Sequence, residues 1–286
     1  MQSTAIAASS LIHAGKCLRA FADKMNERAL EFKMTNTVFN DPAGVDNYSC
    51  APDIMRLLLH AGKISKICEL WEKAEHTVVI SGKNARELKI DSKTKRGENC
   101  DILISSYDVR VGKGGALITP KIYNSAVIVK DPDEEGELAC VVMGADEPNS
   151  GQNNKFAAVK SSFDAARIKR SNKTDIPYIC AKSAIVCKAD TGEVIFEKHP
   201  EYVTKPASMS KMMTAILTYE MIEDFEQKVE ITPEIYELLP KNFYQGCLTV
   251  GDILSVYDLI SLALLPSNNL ATYALGVVIG EKFLRK

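Results

Sequence analysis

The segment Pro206-Ala207-Ser208-Met209-Ser210-Lys211 stands at the head of an apolar run, Met212-Met213-Thr214-Ala215-Ile216-Leu217. On a helix, residues three apart share a face, so Ser208 Oγ and Lys211 Nζ fall within hydrogen-bonding reach. A serine hydroxyl is a poor nucleophile until a base takes its proton. A lysine can be that base where burial and a neighbouring cation hold it neutral. Alone the pair is a weak signal, because a serine three residues before a lysine is common on solvated helix faces. A second stretch changes its weight. Asp258–Leu265 reads as a buried helix that runs into Pro266, followed by Ser267-Asn268-Asn269. It adds a second hydroxyl and an amide to the inventory.

Ser208-x-x-Lys211 and Ser267-x-Asn269 together resemble the penicillin-recognising serine enzymes, the D,D-peptidases and serine β-lactamases. The signature set of that superfamily is Ser-x-x-Lys, Ser-x-Asn and Lys-Thr-Gly. The flanks resemble its D-alanyl-D-alanine carboxypeptidases. A strand at Ser183–Cys187, a turn at Asp190-Thr191-Gly192 and a strand at Glu193–Glu197 lead into the Pro-Ala-Ser-Met-Ser-Lys segment.

The third motif is out of order. No Lys-x-Gly follows Ser267; it occurs as Val111-Gly112-Lys113-Gly114-Gly115 in the first half of the chain. Around it the chain resembles the family's C-terminal portion. The helix Ala20–Ala29, the stretches Met34–Asn40, Pro42–Val45 and Asp46–Ala51, the strand Leu138–Gly144 and a closing helix at Phe156–Ile168 follow that order. The expectation is one transpeptidase-like domain over residues 1–286 in permuted order. Residues 172–286 match the family's first half and residues 1–171 its second, with 170–175 as the linker.

The resemblance implies the roles. Ser208 is the acylated nucleophile and Lys211 its base. Lys113 keeps Lys211 neutral, since a second cation disfavours protonation. Ser267 relays a proton to the leaving D-alanine, and Asn269 holds the substrate's peptide group. The backbone N–H groups of Ser208 and Ala116 form the oxyanion hole. Lys113, Gly114, Gly115 and Ala116 make up the substrate-binding strand. Gly114 departs from the pattern, which has a hydroxyl residue there to bind the terminal carboxylate. Losing a hydrogen bond to a charged group costs about 1.5–3 kcal/mol, so weaker binding or altered specificity is expected. No cofactor or metal is implied. No glutamate reads as the dedicated deacylating base of class A β-lactamases, although the loop Asn40–Asn47 borders the expected site.

The ends overlap. Residues 1–20 lie on 267–286 without a gap, with Ala5/Ala271, Ala8/Ala274, Lys16/Lys282, Leu18/Leu284 and Arg19/Arg285 identical. Both copies read as the helix after Ser-x-Asn, but Met1 and Ser3 stand where Ser267 and Asn269 stand. Either two segments compete for one slot, or the chain was cut from a tandem or fused arrangement. The copy at 267–286 is expected to hold the slot. Residues 1–16 are expected to be mobile or peripheral, or exchanged with a second chain in a swapped or homodimeric assembly.

The elements that must position these residues follow from periodicity. Leu18, Phe21, Met25 and Ala29 are spaced as one helix face. Asp53–Gly62 reads as a short helix, with helical sequence continuing to Trp71. Strands are expected at Thr77–Ile80, Ile102–Ser105 and Val109–Lys113, and a hairpin at Ser125–Lys130 and Leu138–Met143. Separate runs of helices and antiparallel hairpins imply an α+β fold. The resemblance sharpens this to a β-lactamase/D,D-peptidase-like fold, with a central five-stranded antiparallel sheet and a helical subdomain.

Composition narrows the function classes. A net charge of −2 and a pI near 6.2 leave no electrostatic footprint for nucleic acid, and the basic cluster Arg167–Lys173 reads as a solvated helix end. No apolar run reaches the ~18–20 residues of a membrane span, and the N-terminus lacks the basic region of a signal peptide. The family resemblance points to the cell envelope or exterior. None of the eight cysteines lies in a C-x-x-C pair or a zinc-like cluster, so they read as free thiols, with Cys140 and Cys187 buried in strands. His13, His60, His76 and His199 have no required part. The expected function is a serine D-Ala-D-Ala carboxypeptidase that trims peptidoglycan stem peptides and is inhibited by penicillins and other β-lactams. A penicillin-binding-like relative with little or no turnover is the alternative, and a serine β-lactamase the weaker one.

Overall fold

The structure is a computed structural model that describes residues 2–96, 100–145, 155–243 and 246–285, with side chains from residue 8 onward. Helices α1 (Gln2–Glu31), α2 (Ala51–Ala61) and α3 (Ser65–Trp71) precede a hairpin of β1 (Glu75–Gly82) and β2 (Arg86–Asp91). After the single turn α4 (Asp101–Ile104), β3 (Val109–Leu117), β4 (Ile122–Lys130) and β5 (Glu137–Ala145) form a meander, and α5 (Lys155–Arg170) follows. The hairpin β6 (Ala181–Lys188) and β7 (Val194–Lys198) leads to α6 (Lys211–Met221), β8 (Lys228–Glu230), α7 (Pro233–Leu238) and β9 (Asp252–Ser255). Helices α8 (Val256–Leu264) and α9 (Asn269–Leu284) end the described chain.

The main sheet has five antiparallel strands in the order β3-β4-β5-β6-β7. Its middle strands are apolar on both faces because helices cover both. On β5, Ala139, Val141 and Met143 join the core shared with α1, α2, α6, α8 and α9. Leu138, Cys140 and Val142 join the core under α5. That alternation is the two-residue period of a strand divided between two cores. The α+β fold with a central five-stranded sheet is therefore the one the sequence implied. Strand β5 pairs β6 from Leu138↔Lys188 to Ala145↔Ala181, so the sheet joins the two halves of the chain that the motifs place in reversed order.

A second sheet, β2-β1-β9-β8, was not expected. Two of its strands have only three or four residues, too short to show a period. Its closure rests on Arg86, which donates through Nη1 and Nη2 to the two oxygens of the buried Asp252 carboxylate at 3.0 and 2.8 Å. The stretch Ile102–Ser105, read as a strand, falls instead on the turn α4 and its C-cap. A short apolar run carries no period to separate the two. Leu103 is buried there while Ile102 and Ile104 are exposed. All eight cysteines are free, and Cys140 and Cys187 are buried in strands, on opposite sheet faces.

Helix α1 extends far beyond the expected Ala20–Ala29. It runs antiparallel to α9, with His13 beside Glu281 and Leu18 and Phe21 against Gly276. From Ala8 to Lys16 only Ala14 is buried, so this part is peripheral, while α9 follows directly on Ser267. Met1 lies outside the described residues. The two helices approach closest where Gly280 meets the Cys17 carbonyl, with no room for a Cβ. Gly280→Ala is therefore expected to cost about 1–3 kcal/mol through backbone displacement, read as a lower midpoint in denaturant unfolding. An unchanged midpoint would show that the helices separate freely there.

Candidate active site

Ser208 lies on a 3-10 turn, Ala207–Ser210, that leads into α6. Such a turn has three residues per revolution and eclipses i and i+3, so it aligns Ser208 with Lys211 more directly than the α-helix expected. Lys211 Nζ is 3.1 Å from Ser208 Oγ. The turn is held by strain and close packing. Ala207 adopts φ +52, a left-handed conformation unusual for a non-glycine residue. Gly44, itself at φ +89, abuts the Ala207 carbonyl with no space for a side chain. The loop carrying Gly44 is organised by Asp41, whose carboxylate accepts from the backbone N–H groups of Ala43, Gly44, Val45 and Asp46. Both Asp41 oxygens are thus occupied, and the loop that borders the site contributes packing there. On the other side, a Cβ on Gly115 would meet the Pro206 carbonyl at 2.5 Å and Ser208 N at 3.2 Å. The glycine lets β3 lie directly against the turn.

The second wall is the connection between α8 and α9. Ser255 caps α8, accepting from Asp258 N at 3.0 Å. The chain leaves α8 through Leu265 and Pro266, and Ser267 stands at φ +68. Asn268 caps α9, accepting from Ala271 N at 2.8 Å. This presents the Ser267 hydroxyl and the Asn269 amide to Lys211. Lys211 Nζ donates to Ser267 O and Asn269 Oδ1, each at 2.6 Å, and lies 3.1 Å from Ser267 Oγ. Asn269 Nδ2 donates to Phe243 O at 2.8 Å, which orients the amide. Asn269, expected to hold substrate, is here a hydrogen-bond partner of Lys211.

Lys113, on the edge strand β3, closes the cluster. Its Nζ donates to Ser267 Oγ at 2.8 Å and to Gly114 O at 2.9 Å. Ser208, Lys211, Ser267, Asn269 and Lys113 are therefore one hydrogen-bonded group, although Lys113 and Ser267 are 154 positions apart. Gly114 and Ala116 line the same small pocket of about 100 Å³, with Lys93, Thr94, Lys155, Leu264 and Leu265. Among the described residues no carboxylate lines it.

Burial dominates the electrostatics. Lys211 and Lys113 are 0% and 2% exposed. Burial pushes both ammonium groups well below the usual lysine range, and each is pushed further by neighbouring cations. For Lys113 these are Lys211, Lys93 and Lys155. For Lys211 the cation is Lys93, not the Lys113 that the motif suggested. Lys93 is exposed as a residue, but its ammonium sits in the cleft and is itself depressed by that confinement. A neutral Lys211 has two N–H bonds and one lone pair. The two short contacts, to Ser267 O and Asn269 Oδ1, take the N–H bonds, since neither oxygen carries a hydrogen. The lone pair is left for the Ser208 and Ser267 hydroxyls, both at 3.1 Å.

Sequence reasoning missed Lys93 and Lys155. Lys155 is 8% exposed at the first residue of α5. Burial, reinforced by Lys93, lowers its ammonium to about 8. A Cβ placed on Gly114 would meet Lys155 Nζ at 2.7 Å. The absent side chain at Gly114 is therefore not an empty place, because an amino group reaches it from α5. One signal was available. A lysine in the first turn of a helix opposes the macrodipole, which argues for a purpose other than helix stability.

A buried serine–lysine pair, a second serine between two lysines and a small lysine-lined pocket stand together on an α+β fold. The family model for D-alanyl-D-alanine carboxypeptidases matches residues 170–282. That stretch holds Ser208, Lys211, Ser267 and Asn269. Over 103 residues the chain is 32% identical to the D-alanyl-D-alanine endopeptidase of Escherichia coli (strain K12), covering 35% of this chain and 31% of that protein. The chain thus spans about a third of the length of the curated relative it matches. No solved structure matches it. Among the described residues no helix is long and apolar enough to cross a membrane.

Proposed function

We propose that the chain is a serine-type D-Ala-D-Ala carboxypeptidase acting on peptidoglycan stem peptides at the cell envelope, built from family segments in permuted order. The observation that carries this reading is the single cluster formed by Ser208, Lys211, Ser267, Asn269 and Lys113. Neutral Lys211 takes the Ser208 proton as Oγ attacks the carbonyl carbon of the penultimate D-alanine. The N–H groups of Ser208 and Ala116 hold the oxyanion, a contribution typically worth ~3–4 kcal/mol per donor. The C–N bond breaks, and the departing amine receives a proton through Ser267 Oγ, whose partners are Lys113 and Lys211. Water then releases the acyl group from Ser208.

The pocket beyond Ser208 favours a carboxypeptidase over an endopeptidase. Lys113, Lys155 and Lys93 line a space of about 100 Å³, which suits one terminal carboxylate and its methyl-bearing residue. The same lysines weaken the case for an inactive relative, which rested on Gly114. A β-lactamase reading lacks a carboxylate to drive deacylation, since Asp41 is committed to its own loop. Penicillin should therefore acylate the protein durably. The test is intact mass after incubation with penicillin. One adduct per chain is expected, mapping to the peptide that contains Ser208 and absent from Ser208→Ala. A folded protein that takes no adduct would sink the reading.

A further inference from the structure

A second cleft, of about 770 Å³, lies at the far edge of the five-stranded sheet and is lined by Tyr178, Ala181, Lys182, Lys198, His199, Pro200, Glu201 and Tyr202. Tyr178 is 79% exposed and Tyr202 37%. Each ring has a lysine over it, Lys198 on Tyr178 and Lys182 on Tyr202, both with Nζ 5.5 Å from the centroid. The lysines are fixed in turn. Lys198 Nζ donates to Ile179 O at 2.8 Å, and Lys182 Nζ to the Tyr202 hydroxyl at 3.3 Å. His199, exposed in the turn after β7, takes φ +42, and its carbonyl accepts from Tyr202 N at 3.2 Å.

We propose that this cleft binds the amino-sugar backbone from which stem peptides hang, so that the glycan strand docks there while its peptide reaches Ser208. The idea rests on the peptidase reading above. The chemistry fits, because a pyranose ring has apolar C–H faces and a rim of hydroxyl and acetamido groups. Exposed tyrosine rings offer apolar faces with a polar edge, and Lys182, Lys198, His199 and Glu201 supply donors and acceptors around them.

The distances are of the same order. At one end of the sheet, Ala116 pairs Tyr123, Tyr123 pairs Ala145 and Ala145 pairs Ala181. The cleft thus lies at the same sheet end as the oxyanion corner. At about 4.8 Å per strand it is three to four strands away, roughly 14–19 Å. A stem of four residues on the acyl side extends at most about 13–14 Å, so a fully extended stem reaches the near limit of that range. The connection His199–Ala207 runs along that end, with Lys205 O accepting from Asn124 Nδ2 of β4 at 2.9 Å. It carries Tyr202 and leads directly into Ser208.

The probe is a peptide-free tetrasaccharide of alternating N-acetylglucosamine and N-acetylmuramic acid, titrated calorimetrically. Binding is expected for the wild type. The double variant Tyr178→Ala/Tyr202→Ala should bind about tenfold more weakly or worse, and Tyr178→Phe/Tyr202→Phe should stay close to wild type. The alanine variant should keep the wild-type rate of penicillin acylation, which shows that it is folded. It should lose kcat/KM on a disaccharide-linked pentapeptide but not on the free pentapeptide. No wild-type binding of the tetrasaccharide, or equal binding by the alanine variant, would overturn the proposal. Failure of the wild type to acylate would instead sink the peptidase reading, and the titration would still decide the cleft.

Discussion

Lys211→Ala is expected to slow penicillin acylation of Ser208 by about 10²–10⁴-fold, the range typical of removing a general base. The expectation follows from the hydrogen-bond count around Nζ. Two acceptors without hydrogens, Ser267 O and Asn269 Oδ1, fix two N–H bonds. The remaining lone pair is left for the Ser208 and Ser267 hydroxyls, both at 3.1 Å. The substitution leaves those acceptors unpaired, which costs about 1–3 kcal/mol for a buried polar group. Some loss of stability is therefore expected and must be separated from loss of chemistry. Lys211→Met serves for that, since it keeps the stem volume without the amine. Both variants should unfold cooperatively and neither should acylate at a useful rate. Acylation at the wild-type rate would move the base to Lys113, the other amine bonded to Ser267 Oγ.

The parts of the site legible in the sequence were those written locally. Ser208 and Lys211 are three residues apart on one turn, and Ser267 and Asn269 two apart on one loop. Lys113 was found through the glycines that follow it on a strand. The reason for those glycines was not legible. Gly115 is required by the approach of β3 to Pro206 and Ser208, and Gly114 leaves space that Lys155 fills. Both facts depend on segments brought together from opposite halves of the chain. The main sheet was readable because β4, β5 and β6 are long and apolar. The second sheet was not, because β8 and β9 are short and β9 pairs with β1 across more than 160 positions. The length of α1 was missed for the opposite reason. From Ala8 to Lys16 only Ala14 is buried, so the readable face began near Leu18.

The second large effect concerns Lys155 and sets a pH profile. Lys113 and Lys211 are both held well below the usual lysine range by burial. As pH falls they take up protons, Lys211 ceases to be a base, and activity is lost on the acid side. In the proposed function Lys155 has the opposite duty. Bound to a terminal carboxylate it must be charged, and its ammonium is lowered to about 8. As pH rises through that value the cation is lost, so kcat/KM for carboxylate-ended peptides should fall on the alkaline side. The two limbs together give a bell, and kcat/KM reports the free enzyme's groups. Lys155→Arg should remove the alkaline limb, because a guanidinium stays charged throughout. Lys155→Ala should raise KM by roughly 10–100-fold at pH 7, the loss of a charge-assisted hydrogen bond at about 1.5–3 kcal/mol. Acylation by an uncharged ester substrate should change little in either variant. Gly114→Thr, which would restore the family's hydroxyl, must first displace Lys155 Nζ from 2.7 Å. It is therefore expected to help only when combined with Lys155→Ala. An alkaline limb that persists in Lys155→Arg would assign the carboxylate to Lys93 instead.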